Sequence, residues 1–210
     1  LYNAPNISES IDTPVKEELE KRLKLPVFVD NDANCFTLAE ARAGVAKNRK
    51  VVIGITFGTG VGGGIVVDGH LFRGAHGFAA EIGHMLLVPG KPPYKTEKKR
   101  GEVEQFLSGT AFHHRCNDAE NPAQYLQGDV CAYMHPDVFR ETAWLCTNLT
   151  HLLDPDMIVF GGSVGHAFKP HLETIKADLK EWLLPNTPLP EIAIAELKDA
   201  GTLGAALLTV

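Results

Sequence analysis

Five groups of residues in this chain carry chemistry worth placing. Asn31-Asp32 falls where an apolar run, Val27-Phe28-Val29, gives way to a helical pattern from Ala33 to Ala43. A carboxylate just past the carboxyl end of a strand in an α/β sheet is well placed as a general base. The same aspartate would serve equally as a helix cap. Glu81 and His84 stand three apart in the glycine- and alanine-rich stretch Gly74 to His84, where both could face one ligand or simply form a surface turn. Glu104 opens a helical pattern, either as an acid matched to the helix dipole or as a further ligand contact. Gly58 to Gly64 reads GTGVGGG between two apolar runs, Val51 to Phe57 and Ile65 to Val67. Backbone N–H groups can crowd around a phosphate in such a loop, because glycine has no Cβ in the way. A glycine-rich hairpin selected for tight packing would have the same sequence. Gly161-Gly162-Ser163, after the apolar run Met157 to Phe160, is a second candidate contact for phosphate or adenosine.

The loop at Gly58 is not the Walker pattern, since no lysine follows until Lys91. Whatever phosphate handling it offers is of a strand–turn–strand kind.

The elements that must position these groups alternate. Thr13-Pro14 with Glu17 and Glu18 starts a helix that runs to about Lys24. A short buried strand over Val27 to Val29, a helix from Ala33 to a stop at Gly44, and strands over Val51 to Phe57 and Ile65 to Val67 follow. Asp68-Gly69 signals a hairpin turn before His70-Leu71-Phe72. Val88 to Arg100 reads as a polar loop, Glu102 to Cys116 and Pro136 to Leu153 as helices, and Met157 to Phe160 as a strand. A helix over Phe168 to Leu184, a strand over Ile192 to Ala195 and a last helix over Thr202 to Leu208 complete an α/β architecture.

Length and charge narrow the functions. At 210 residues the chain can bury a sizeable core. A formal charge of −6 argues against a nucleic-acid surface, which needs clustered Lys and Arg. No apolar stretch approaches the ~20 residues that span a bilayer. Cys35, Cys116, Cys131 and Cys146 form no CxxC pair, which favours reduced thiols in a cytoplasmic protein.

The order of the motifs is more specific than any one of them. The succession NDAN, GTGVGGGI, DGHLFRGAHGFAAEIGH, ExxLSG, DPDxIVFGGSV and DAGTLGAALL resembles the ROK family (repressors, open reading frames and sugar kinases) from Asn3 onward. The resemblance implies an actin-like ATPase (ribonuclease H-like) fold, with ATP and sugar bound between two α/β lobes, and here mainly the large C-terminal lobe. Residues 1–29 would be the tail of the small lobe, 30–195 the large lobe, and 196–210 a helix returning to the small lobe. It implies an ATP- and Mg2+-dependent sugar kinase, cytoplasmic and homodimeric when complete, acting on a hexose or N-acetylhexosamine, with glucose or N-acetylglucosamine favoured. Asp32 would be the catalytic base, and Asn31, Glu81, His84 and Glu104 would bind sugar. Gly58, Thr59, Gly60, Gly62, Gly161 and Gly162 would contact the nucleotide. A sugar-sensing repressor and a non-catalytic sugar-binding module are the alternatives within the family.

Two departures modify that expectation. Many members hold a structural zinc with the histidine of the GEIGH motif and three cysteines, whereas Lys95, Glu97 and Glu102 stand at the cysteine positions here. The zinc site is therefore expected to be lost, with Lys–Glu pairs holding the loop instead. His113, His114 and Cys116 do not rebuild it, because neighbouring helix residues diverge. The Asp-Gly-Gly-Thr-Lys-type strand that engages ATP in the family's N-terminal lobe does not occur, and Asn3-Ala4-Pro5-Asn6 resembles the end of that lobe. The chain is thus expected to be a fragment, doubtful as a kinase alone, whose first and last helices expose apolar faces.

Overall fold

A computed structural model describes residues 14–209. Thr13 and the Asn3-Ala4-Pro5-Asn6 segment lie outside the described residues.

A five-stranded mixed sheet, ordered β3-β2-β1-β4-β5, carries helices on both faces. Its strands are β1 (Val51–Phe57), β2 (Val61–Val67), β3 (His70–Leu71), β4 (Met157–Gly161) and β5 (Glu191–Ile194). β1 pairs antiparallel with β2 and parallel with β4, and β4 is parallel to β5. The period-two alternation of strand side chains sorts the core into two layers. Ile53, Ile55, Phe57, Ile158 and Phe160 face the larger layer, which is closed by α3 (Glu104–Leu107), α4 (Gly109–Arg115), α5 (His135–Leu153), α6 (Gly162–Gly165) and α7 (Leu172–Trp182). Val52, Val66, Met157 and Val159 face the smaller one, under α2 (Asp32–Ala43) and α8 (Ala200–Leu207).

α8 packs tightly on α2. A Cβ at Gly204 would stand 1.7 Å from the Cys35 carbonyl oxygen, so only glycine admits this approach. The last helix therefore packs on one side, where Ala200 and Leu207 join the smaller layer, and exposes the apolar face expected of it, with Leu203, Ala205 and Ala206, on the other. α1 (Val15–Leu23) does stand free: it buries no residue and leaves Leu19 and Leu23 exposed. Glu17 and Glu18 sit in its first turn, and Lys24 ends it in the left-handed conformation.

Several sequence expectations need correction. Val27 to Val29 is not a strand; Phe28 and Val29 are exposed, and no strand among the described residues pairs with them. The helix expected over Glu102 to Cys116 breaks at Ser108, whose extended backbone ends α3 and whose Oγ caps α4 by accepting from Ala111 N at 3.0 Å. The helix expected from Phe168 starts at Leu172, after a 3-10 segment, His166–His171, that contains Pro170. Cys116 and Cys131 are not free thiols. The chain from α4 to the start of the next helix doubles back, brings their Cα atoms to 5.9 Å and lets them bridge, leaving Cys35 and Cys146 as the free cysteines. No described helix is long and apolar enough to cross a membrane.

Candidate active site

The N-terminus of α2 is built by its own short polar side chains. Asn31 is the N-cap, its Oδ1 accepting from Ala33 N at 2.8 Å. Asp32 is the first helical residue, and its Oδ1 also accepts from Ala33 N, at 2.9 Å. Both readings of the sequence thus have substance: Asn31 takes the cap, and Asp32 Oδ2 makes no hydrogen bond among the described residues.

The glycine run divides in two. Only 58–60 form a turn, while Gly62, Gly63 and Gly64 lie inside β2. A Cβ at Gly62 would meet the Ala33 side chain at 2.9 Å, and one at Gly64 would meet Thr37 Oγ1 at 2.3 Å. These glycines let α2 lie directly on the strand, and that contact carries Asp32 to the edge of the turn. The turn itself is pinned from below by α4. Gly58 O accepts from Gly109 N at 2.7 Å, and Thr59 O accepts from Thr110 Oγ1 at 2.8 Å. Its Thr59 and Gly60 N–H groups make no hydrogen bond among the described residues, and the space where a Gly58 Cβ would stand is open.

A cleft of about 820 Å3 opens above these elements. It gathers Asn31, Asp32, Glu81 and Glu104 with Gly58, Thr59, Gly60, Gly62 and Gly162. Asp32 and Glu81 are solvent-exposed, so the cleft is open on that side. Glu104 also braces the turn. Its Oε2 accepts from Val61 N at 3.0 Å and occupies the space a Gly60 side chain would need. Gly162 adopts a φ of +83°, and a Cβ there would meet Phe57 O at 2.3 Å.

Two of the residues singled out from the sequence do not line the cleft. Gly161 is buried against the Phe36 ring, which a Cβ would meet at 2.4 Å, so its glycine serves packing. His84 lies outside, with its Nδ1 3.3 Å from Glu102 Oε2. Arg100 Nε reaches the same oxygen at 3.2 Å. The 89–101 loop is therefore not held by Lys–Glu pairs among the described residues. Gln105 ties it down, accepting from Gly101 N at 2.7 Å and donating to Lys98 O at 2.5 Å.

The cleft also contains Ser163, from the Gly161-Gly162-Ser163 run, together with Asn34, His166 and Lys198, to which the sequence assigned no role. Asn34 was within reach of pattern reasoning, two residues beyond Asp32 in the NDAN run. Lys198 was not, because a distant buried carboxylate places it: Glu40 Oε1 accepts from Glu196 N at 3.1 Å and Leu197 N at 2.9 Å. Cys35, behind Asp32, is a poor nucleophile, since burial and the Asp30 and Asp32 carboxylates raise its thiol above the ordinary value.

Comparisons with known proteins identify the family of the chain. The sequence model of the ROK family matches residues 1–210. A glucokinase of Halalkalibacterium halodurans is 34% identical over 99% of this chain and 70% of its own length. An N-acetyl-D-glucosamine kinase of Pectobacterium carotovorum is 34% identical over 99% of this chain and 74% of its own. Among solved structures, a ROK hexokinase from Thermus thermophilus superposes with a TM-score of 0.83 at 29% identity, covering 97% of this chain and 71% of that one. A ROK family glucokinase from Streptomyces griseus, in complex with glucose and AMPPNP, gives 0.76 at 33% identity, covering 99% and 75%. With a family match along its whole length and relatives a third identical over most of theirs, this chain belongs to the ROK family and has the actin-like ATPase fold of its kinases.

Proposed function

We propose that the cleft transfers the γ-phosphoryl group of ATP to a hydroxyl of a hexose or N-acetylhexosamine, with Asp32 as general base. The observation that carries this reading is the meeting of Asp32, at the start of α2, with Glu81, Glu104 and the 58–60 turn in one open cleft. Names of relatives add to it, since those a third identical are glucokinases and N-acetylglucosamine kinases.

Asp32 accepts the proton of the attacking hydroxyl through the oxygen that makes no protein hydrogen bond. Asn31 has committed its Oδ1 to the helix cap, so it offers its Nδ2 as a donor to a sugar oxygen. Glu81 and Glu104 accept from sugar hydroxyls, and a polyhydroxylated ligand suits a cleft so rich in acceptors. The two uncommitted N–H groups of the 58–60 turn fit a phosphate oxygen. ATP supplies the phosphoryl group, and the Mg2+ it brings offsets phosphate charge. No group of three or more His, Cys, Asp or Glu side chains gathers for a metal among the described residues. One or two carboxylates of the cleft and the phosphates themselves would hold that ion. The reading places the chemistry in residues 30–195 and in the cytoplasm. It also leaves the 89–101 loop without zinc, because Glu102 is committed to His84 and Arg100.

The test is a coupled assay of ADP release with glucose, N-acetylglucosamine and their epimers, run on the full-length protein as wild type and as Asp32→Asn. Loss of transfer of about a hundredfold or more with sugar affinity kept, by calorimetry, is the expected result, since a base acts in the transition state. Sugar binding by wild type without any transfer would favour a sensor or binding module instead.

A further inference from the structure

The carboxylate immediately before Asn31-Asp32 is the most heavily engaged polar group around the cleft. Asp30 has a side chain only 7% exposed, and it collects donors from three parts of the chain. Its Oδ1 accepts from Asn31 N at 2.9 Å and from Asn34 Nδ2 at 2.7 Å, and its Oδ2 accepts from Arg73 Nε at 2.7 Å. The Asn34 amide shows how strongly this carboxylate organises its surroundings. Asn34 is buried, and its Oδ1 has no hydrogen-bond partner among the described residues. Turning the amide over would set that oxygen against the Asp30 carboxylate, so the orphaned acceptor is accepted in exchange for the bond to Asp30.

Arg73 opens the loop that ends at Glu81. Between them Gly74, Gly77 and Ala80 all take positive φ, at 70°, 79° and 65°, and Phe78 projects into solvent. A loop with three left-handed residues has few local restraints of its own. Its fixed points are Arg73, whose carbonyl also accepts from Ala79 N at 3.2 Å, and the buried Ile82. The ion pair between Arg73 and Asp30 therefore joins the wall that carries Asp32 to the wall that carries Glu81.

We propose that Asp30 and Arg73 are positioning residues whose ion pair sets the spacing between the base Asp32 and the sugar-facing loop at Glu81. The proposal rests on the sugar-kinase reading for its consequence and on the geometry alone for its mechanism. Arg73 is half exposed, so the bond contributes little to global stability. Its role is local: without it the loop keeps its sequence and loses its distance to α2.

The test uses Arg73→Ala and Arg73→Lys, with kinetics and amide hydrogen exchange. In Arg73→Ala the KM for sugar should rise about tenfold and kcat should fall, as expected for a misplaced binding wall, while the KM for ATP stays unchanged. Arg73→Lys, or guanidinium added far below denaturing concentrations, should restore a large part of the loss in the half-open site. Peptides spanning 74–82 should exchange faster in Arg73→Ala while those of β1 and β4 do not. Sugar and ATP constants both within twofold of wild type would overturn the proposal. So would a loss that neither lysine nor guanidinium repairs and that accompanies a lower melting temperature. If the full-length wild type phosphorylates no sugar, the functional reading fails by itself. Exchange over 74–82 then decides the latch, faster exchange supporting it and unchanged exchange overturning it.

Discussion

Replacing Glu40 by alanine removes the single acceptor of three backbone N–H groups. Glu40 lies on α2, completely buried, and its Oε2 accepts from Val45 N at 2.9 Å while Oε1 takes Glu196 N and Leu197 N. The carboxylate thereby joins the end of α2 to the segment before α8. Each N–H left without an acceptor costs roughly 1–3 kcal/mol, and water entering the void would recover part of it, so Glu40→Ala should cost about 4 kcal/mol. That is a large part of the roughly 5–15 kcal/mol by which domains are commonly stable. Glu40→Gln separates geometry from charge. Its amide oxygen can keep Glu196 and Leu197, while its amide nitrogen faces the Val45 N–H, donor to donor, for a loss of about 1–2 kcal/mol. Urea unfolding followed by the fluorescence of Trp144 and Trp182 reads both variants. A Glu40→Gln variant as unstable as Glu40→Ala would refute the donor count, and so would a Glu40→Ala variant within about 1 kcal/mol of wild type.

The Glu141 carboxyl is pushed up to about 7, chiefly by burial, against the pull of Arg115, whose Nη1 lies 2.6 Å from its Oε2. The folded chain then holds a proton between pH 4.5 and 7 that the unfolded chain releases, so this group's contribution to stability is present below pH 4.5 and is lost as pH rises through 7. The advantage of wild type over Glu141→Gln in unfolding free energy should shrink by about 3 kcal/mol between pH 4.5 and 8, and an advantage that widens with pH would mean the ion pair outweighs burial. The Cys116–Cys131 bridge closes a loop with a sequence separation of 15, so the Cys116→Ser/Cys131→Ser variant should lose about 3 kcal/mol by urea unfolding under oxidising conditions, and nothing relative to wild type in reductant.

Periodicity made most of the fold legible, and contacts that periodicity does not encode account for the misses. The continuous apolar runs of β1 and β4 and the apolar faces of α2 and α5 identified those elements, because both faces of these strands meet a layer of the core. Val27 to Val29 carries the same β-branched signal, but among the described residues it has no strand to pair with. The break at Ser108 is local chemistry, a serine that caps the following helix, and was readable in principle. The disulfide depends on how the chain returns after α4, which spacing between cysteines does not record. Asp32, Glu81, Glu104 and the turn were legible as candidates that meet in one cleft because side-chain type and loop position coincide. His84 carries the same kind of signal, and Glu102, eighteen residues on, draws it away.

The glycines of β2 join fold and site more closely than a phosphate loop alone would. Gly62 and Gly64 stand two apart on one face of the strand, beneath Ala33 and Thr37, which are four apart on one face of α2. Strand period and helix period meet there, and the absence of side chains lets the helix rest on the strand backbone. The position of Asp32 relative to the 58–60 turn is consequently fixed by core packing and not by the turn. α8 completes the arrangement from the other side, where Gly204 brings it onto the Cys35 carbonyl. The helix that carries the candidate base is thus held between two surfaces stripped of side chains, and neither can move without moving Asp32. At Gly58 a Cβ would meet open space, whereas at Gly62 and Gly64 it would meet Ala33 and Thr37. The run therefore continues to Gly64 because α2 rests on the strand there, and the same stretch of sequence shapes the turn and seats Asp32 beside it.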